Sequence, residues 1–210
     1  MADTGPISAP LAHSEWRYVA KSTLEDFRAD DWGTLNAQRA RYYAERQADE
    51  VLAMLAVGQD LPTYGYRINN YQHCLQSATM LHQAGLDEET VVVGLLHDIG
   101  FVACPATHGP FAAALLGAYV SEQNRWMLQH HQVFQQFHLH EYPDIDRNER
   151  ERWRGHPHFD WTAEFVEKFD QNAIDPNADM APVEFFAPMV RRVFARSPRV
   201  VPLDRSSAGE

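Results

Sequence analysis

The sequence predicts an all-α fold. Apolar residues recur at spacings of three and four along much of the chain, no stretch alternates apolar and polar residues as a strand does, and glycine and proline punctuate the helical stretches. With 210 residues, 45% of them apolar, one domain with a sizeable core is expected. Its helical part spans 16–196, between a mobile N-terminus at 1–15 and a loose tail at 197–210.

From Leu24 to Leu55, Leu35, Arg39, Tyr42, Tyr43, Arg46, Val51 and Leu52 mix apolar and charged groups at helical spacing, which predicts one or two amphipathic helices. Asp60 to Gly65 breaks that pattern and leaves a loop upstream of the first candidate histidine. Asn69 or Asn70 can cap the next helix, which runs to about Ala84 and stops at Gly85. His73 borders its apolar side of Cys74, Ala78 and Leu81, whereas His82 falls on the opposite side. Asp87, Glu88 and Glu89 put carboxylates at the start of a third helix, where its dipole favours them. That helix delivers the adjacent His97 and Asp98 before Gly100.

Pro110, placed in a first turn, predicts a helix through Tyr119 with His108 at its mouth. A helix from Glu122 carries His130, His131, Phe134 and Phe137. Neighbouring helix residues point about 100° apart, so at most one of the two histidines faces a shared centre. Asp144 to Arg154 reads as a solvated, charged face. Asp170 lies on a helix from Asp160 to about Asn172, and a short amphipathic helix spans Pro182 to Arg196.

A net charge of −11 argues against nucleic acid and anionic membrane as partners, because both require a basic patch. No apolar run is long enough to span a bilayer, and no basic start followed by an apolar stretch opens the chain, so a cytoplasmic protein acting on a small molecule is expected. Cys74 and Cys104 are too few for a disulfide framework and suit a reducing compartment.

His73, His97, Asp98, His108, His131 and Asp170 fall on different helices or at helix mouths. A lone His-Asp pair is more often a buried, hydrogen-bonded histidine beside a helix-end carboxylate. The four further candidates reverse that balance. Imidazole and carboxylate suit iron, manganese or zinc, and the absence of thiolates argues against a structural zinc. Four such ligands hold one metal, whereas six with a shared carboxylate hold two about 3.5–4 Å apart.

The pattern resembles the HD-domain superfamily, on NNYQHCLQSA followed by GLLHDIG and a distal aspartate, from about Asp26 to Arg196. Many members are metal-dependent phosphohydrolases. FVEKFDQN around Asp170, together with His108 and His131, looks like the branch of inositol oxygenase and its bacterial phosphonate-cleaving relatives. That resemblance implies an HD-domain helical bundle with a metal site at its centre. It implies two iron ions (Fe2+/Fe3+) held by His73, His97, Asp98, His108, His131 and Asp170, with Asp98 bridging and O2 as co-substrate. His131 is chosen over His130 because HQVFQ is similar to the family's fourth histidine segment.

Tyr64-Gly65 resembles the Tyr-Gly of phosphonate-cleaving members, whose tyrosine occupies an iron position until substrate displaces it, although the spacing differs by one residue. Phe101 stands where the family often has lysine or histidine, and Ile174 where inositol oxygenase has lysine. Both departures argue against inositol and for a less charged, partly apolar substrate. Tyr64, Phe101, Gln132, Gln135 and His138 are candidates for contact with it. The expected reaction is oxidation of a C–H bond, with or without cleavage of an adjacent C–C or C–P bond. The alternative is hydrolysis of a phosphate ester, and a helical binding module without catalysis is the third possibility.

Overall fold

The computed structural model describes residues 16–201. Among them the regular elements are all helical: seven α-helices, with 3-10 turns and one π turn between them. The N-terminus at 1–15 and the tail beyond 201 lie outside the described residues; 197–201 carry no helix. The chain divides into two compact units, Met1–Ala53 and Met54–Glu210. In the first, a 3-10 turn at Leu24–Asp26 precedes α1 (Ala29–Val57), one long helix that continues into the second unit. Asp30 and Asp31 sit in its first turn, where they complement the helix dipole.

The second unit carries every candidate metal ligand. Its helix α2 (Asn70–Gln83) starts at a capping box: the Asn69 side chain accepts the Gln72 N–H, and the Asn69 N–H donates to the Gln72 side chain. It stops at Gly85, whose φ of 77° an L side chain adopts only under strain. Helix α3 (Glu88–Leu96) is capped by the Asp87 carboxylate on the Thr90 N–H. Every residue from Thr90 to Leu96 is buried, as expected of a helix apolar on all sides, and α3 packs between α2 and α7 (Val183–Phe194). Arg192 bonds to Glu88 at 2.9 and 3.0 Å and Arg196 pairs with Glu89, so two C-terminal arginines are turned onto α3.

Helix α4 (His108–Leu116) packs on α5 (Glu122–Gln135), which the Ser121 hydroxyl caps, and α5 packs on α6 (Phe159–Phe165). Met127, Leu128 and Phe134 of α5 and Phe165 of α6 are fully buried between them. Helix α4 ends three residues earlier than the expected Tyr119, because Gly117 follows and Tyr119 N–H turns back to Leu116 O. The expected helix around Asp170 is also shorter: after Phe165 it widens into a π turn, Val166–Asp170. Glycine and proline do not only punctuate helices, since Gly94 lies inside α3 and Pro188 inside α7. Among the described residues no helix is long and apolar enough to cross a membrane.

Candidate metal centre

Five segments bring six side chains together. His73 comes from the first turn of α2, and His97 and Asp98 from the end of α3. His108 opens α4, His131 comes from the C-terminal half of α5, and Asp170 closes the π turn. A π turn adds a residue to the helical repeat and re-aims the side chain that follows, a device common at functional sites. All six are buried, His97, His131 and Asp170 completely so.

The four imidazoles share one orientation. Each Nδ1–H donates to a backbone carbonyl: His73 to Ala173 (2.9 Å), His97 to Gly94 (2.8 Å), His108 to Pro105 (2.7 Å) and His131 to Leu128 (2.9 Å). A carbonyl can only accept, so Nδ1 keeps a proton on each ring and Nε2 is the nitrogen turned inward, the atom that can bind a metal once it is deprotonated. Those nitrogens converge on the two carboxylates. Asp98 Oδ1 is 3.2 Å from Nε2 of both His108 and His131 and 3.6 Å from that of His97, while its Oδ2 is 3.6 Å from His73. Asp170 Oδ1 is 3.3 Å from His73 Nε2 and 3.6 Å from His97 Nε2, and those two nitrogens stand 3.1 Å apart.

These separations suit a metal. Ligand atoms about 2.1 Å from one ion stand about 3.0–3.4 Å apart at the corners of an octahedron or tetrahedron. Two groups, His73 with His97 and Asp170, and His97 with Asp98 and His131, place their ligand atoms within 4.8 Å of one another and could each hold an ion. Asp170 Oδ2 is buried without a hydrogen-bond partner, a lone pair that a bound cation would satisfy. The donors present therefore fit a metal.

Neither family models nor curated proteins match the chain.

Burial pushes the His73 imidazole down, but Asp170 and Asp98 more than offset it and hold it at about 9. His97 is raised from the usual imidazole value by the same two carboxylates against its burial. Burial alone would raise Asp98 and Asp170, yet the surrounding histidines hold both well below the usual carboxylate range. A raised histidine contributes stability below its unfolded value of 6.5 that is lost as pH rises towards 9. The depressed aspartates contribute stability that is lost as pH falls below about 4. Chelator-treated protein is therefore expected to lose melting temperature from pH 6.5 to 9. Metal-loaded protein should hold its melting temperature nearly level over the same range, because bound metal keeps His73 deprotonated and the unfolded histidine is already largely neutral there. Thermal melts with and without chelator across that range check the widening gap.

The remaining sequence candidates divide. Phe101 packs against the His108 ring, with centroids 4.4 Å apart and the planes tilted by 31°, and covers it. Gln135 donates from Nε2 to Asp170 Oδ1 at 3.2 Å, so it orients that carboxylate. Gln135→Leu should weaken metal binding about tenfold or more, as loss of such support does, read by competition with a chromogenic chelator. Gln132 instead reaches the Ala106 carbonyl at 3.4 Å. Tyr64 is 73% exposed at a φ of 53°, so its ring is solvated and apart from the buried cluster. His130, the neighbour of His131, stacks on Trp126 at 4.1 Å and donates to the Trp126 carbonyl. His138 Nε2 is buried with no partner. Cys74 lies close by, but burial drives its thiol well up and keeps it neutral.

Sequence reasoning missed Arg150. It is only 9% exposed, although Asp144 to Arg154 was expected to be a solvated face. Its guanidinium lies 3.5 Å from the centre of the Phe137 ring. One buried arginine among several charged neighbours leaves no mark in the sequence pattern.

Proposed function

We propose that the chain is a non-haem diiron oxygenase of the HD-domain type, acting on a small substrate that chelates through oxygen. The observation that carries this reading is the shared orientation of His73, His97, His108 and His131, each with Nδ1–H on a backbone carbonyl and Nε2 facing Asp98 or Asp170. Imidazoles held this way present Nε2 to a metal, which displaces any proton there on binding. Asp98 presents one oxygen to His108 and His131 and the other to His73, the arrangement a bridging carboxylate needs. Two irons in mixed valence would supply O2 activation and oxidation of a substrate C–H bond.

The chain's own residues supply the setting. Asp170 is fixed by Gln135, His108 is covered by Phe101, and the buried ligand shell excludes water from both carboxylates. Anaerobic iron loading, partial oxidation and low-temperature electron paramagnetic resonance, alongside an iron count, test the reading. About two irons per chain and a coupled half-integer signal that shifts with substrate are expected. One metal, or two without coupling, would favour phosphate-ester hydrolysis instead and would be followed by a panel of such esters.

A further inference from the structure

Four polar side chains of α2 follow one another by three residues, each the surface neighbour of the next, and each bonds to backbone outside its own helix. Asn70 donates from Nδ2 to the Asp98 carbonyl at 3.1 Å, and His73 donates from Nδ1 to the Ala173 carbonyl at 2.9 Å. The Thr79 hydroxyl accepts the Ala181 N–H at 3.0 Å. Gln76, between His73 and Thr79, makes two bonds to one residue. Its Nε2 donates to the Asp175 carbonyl at 2.9 Å, and its Oε1 accepts the Asp175 N–H at 3.0 Å. A backbone N–H only donates and a carbonyl only accepts, so the amide has a single orientation there. Gln76 is 1% exposed, and this contact satisfies both ends of its amide.

The segment that Gln76 holds is the one that leaves Asp170. The Ala173 N–H donates to the Asp170 carbonyl at 3.1 Å, and the Ala173 carbonyl is the acceptor that fixes the His73 ring. Ala173 therefore links two of the clustered side chains through its backbone, while its own methyl group has nothing to anchor it. Gln171 and Asn172 bond back to Glu167 and Lys168, which ties the π turn to itself and not to α2. Gln76 supplies the tie to α2, two residues beyond Ala173. His73 Nε2 stands 3.3 Å from Asp170 Oδ1 and 3.1 Å from His97 Nε2. A small shift of the Ala173 carbonyl would turn the His73 ring and open both approaches.

We propose that Gln76 is a positioning residue for the half of the centre formed by His73, His97 and Asp170. It fixes Asp175, and through it the Ala173 carbonyl that aims His73 at the metal. The inference rests on the metal-centre reading above and adds a residue to it. Gln76 acts through backbone, unlike Gln135, which bonds to the Asp170 carboxylate itself. Loss of such support costs about 10- to 100-fold in metal affinity.

The test is titration of the metal-free full chain with Co2+ in competition with a chromogenic chelator, alongside circular dichroism melts. Gln76→Met keeps the length of the side chain and removes both bonds. It should weaken one of two binding steps about tenfold or more and leave the other at the parent value. Thr79→Val is the control, because it releases the same segment at Ala181, farther from Ala173. It should lower the melting temperature with both steps unchanged. If Gln76→Met does not fold, Gln76→Glu gives the comparison: it keeps an acceptor for the Asp175 N–H, loses the donor to the carbonyl, and should weaken the same step. Parent affinity at both steps in the Gln76 variants, an equal loss at both, or the same loss in Thr79→Val overturns the positioning role and leaves the metal centre standing. A parent chain without two binding steps overturns the metal-centre reading, and the role of Gln76 falls with it.

Discussion

Asp98→Ala is expected to take the chain from roughly two bound metals to fewer than about 0.5, measured by elemental analysis after loading and desalting. Asp98 is the carboxylate that faces both halves of the cluster. Its Oδ1 lies 3.2 Å from His108 and His131, and its Oδ2 lies 3.6 Å from His73. Without it His108 and His131 keep two imidazoles and no anion, and the site loses half of its negative charge. The substitution also acts on the metal-free fold. His97 and His73 owe their raised values in part to Asp98, so removing it leaves buried imidazoles with less to balance a charge. Breaking a buried pair of this kind costs about 3–5 kcal/mol. Asp98→Asn separates the two effects: it keeps the shape and much of the packing but offers no anionic bridge. It should melt closer to the parent protein and still fail to hold two metals. Parent-like metal content in both variants would sink the assignment of Asp98 as the shared ligand.

Why the clustered histidines and aspartates were legible while their surroundings were not is a matter of chemistry. His97-Asp98 at the end of an apolar helix, and His108 before a proline, announce themselves because few other arrangements need those residue types there. The choice between His130 and His131 needed more than helical spacing, which says only that they diverge. The structure turns His131 onto Asp98 and stacks His130 on Trp126, a ring one turn earlier. The acceptors that fix the imidazoles are backbone carbonyls of Gly94, Pro105, Leu128 and Ala173, and no side-chain pattern encodes them. The π turn that carries Asp170 was equally hidden, since its apolar residues Val166 and Phe169 also suit an ordinary helix. Arg150 was hidden by its company: charge patterning describes a stretch by its average, and burial is decided residue by residue.

Gly100→Ala should empty one half of the centre and spare the other. A Cβ at Gly100 would stand 2.6 Å from the His108 Cα and 2.9 Å from its carbonyl oxygen. Both are backbone atoms, so the turn Ile99–Val102 and the mouth of α4 must move apart. Overpacking of this kind costs about 1–3 kcal/mol, seen as a lower denaturation midpoint. The displacement falls on His108, whose Nε2 would lose its 3.2 Å approach to Asp98. His73, His97 and Asp170 rest on other contacts, with His73 on Ala173 and Asp170 on Gln135. The variant should therefore retain about one metal per chain, and its iron-loaded form should lack a coupled signal. Gly109 supplies an internal comparison. A Cβ there would meet the Leu128 carbonyl at 2.8 Å and the His131 ring at 3.3 Å, so Gly109→Ala loads the same half of the centre from the opposite side. If both variants kept two coupled metals, close packing of α4 against the His97-Asp98 turn and α5 would not be what sets the second position.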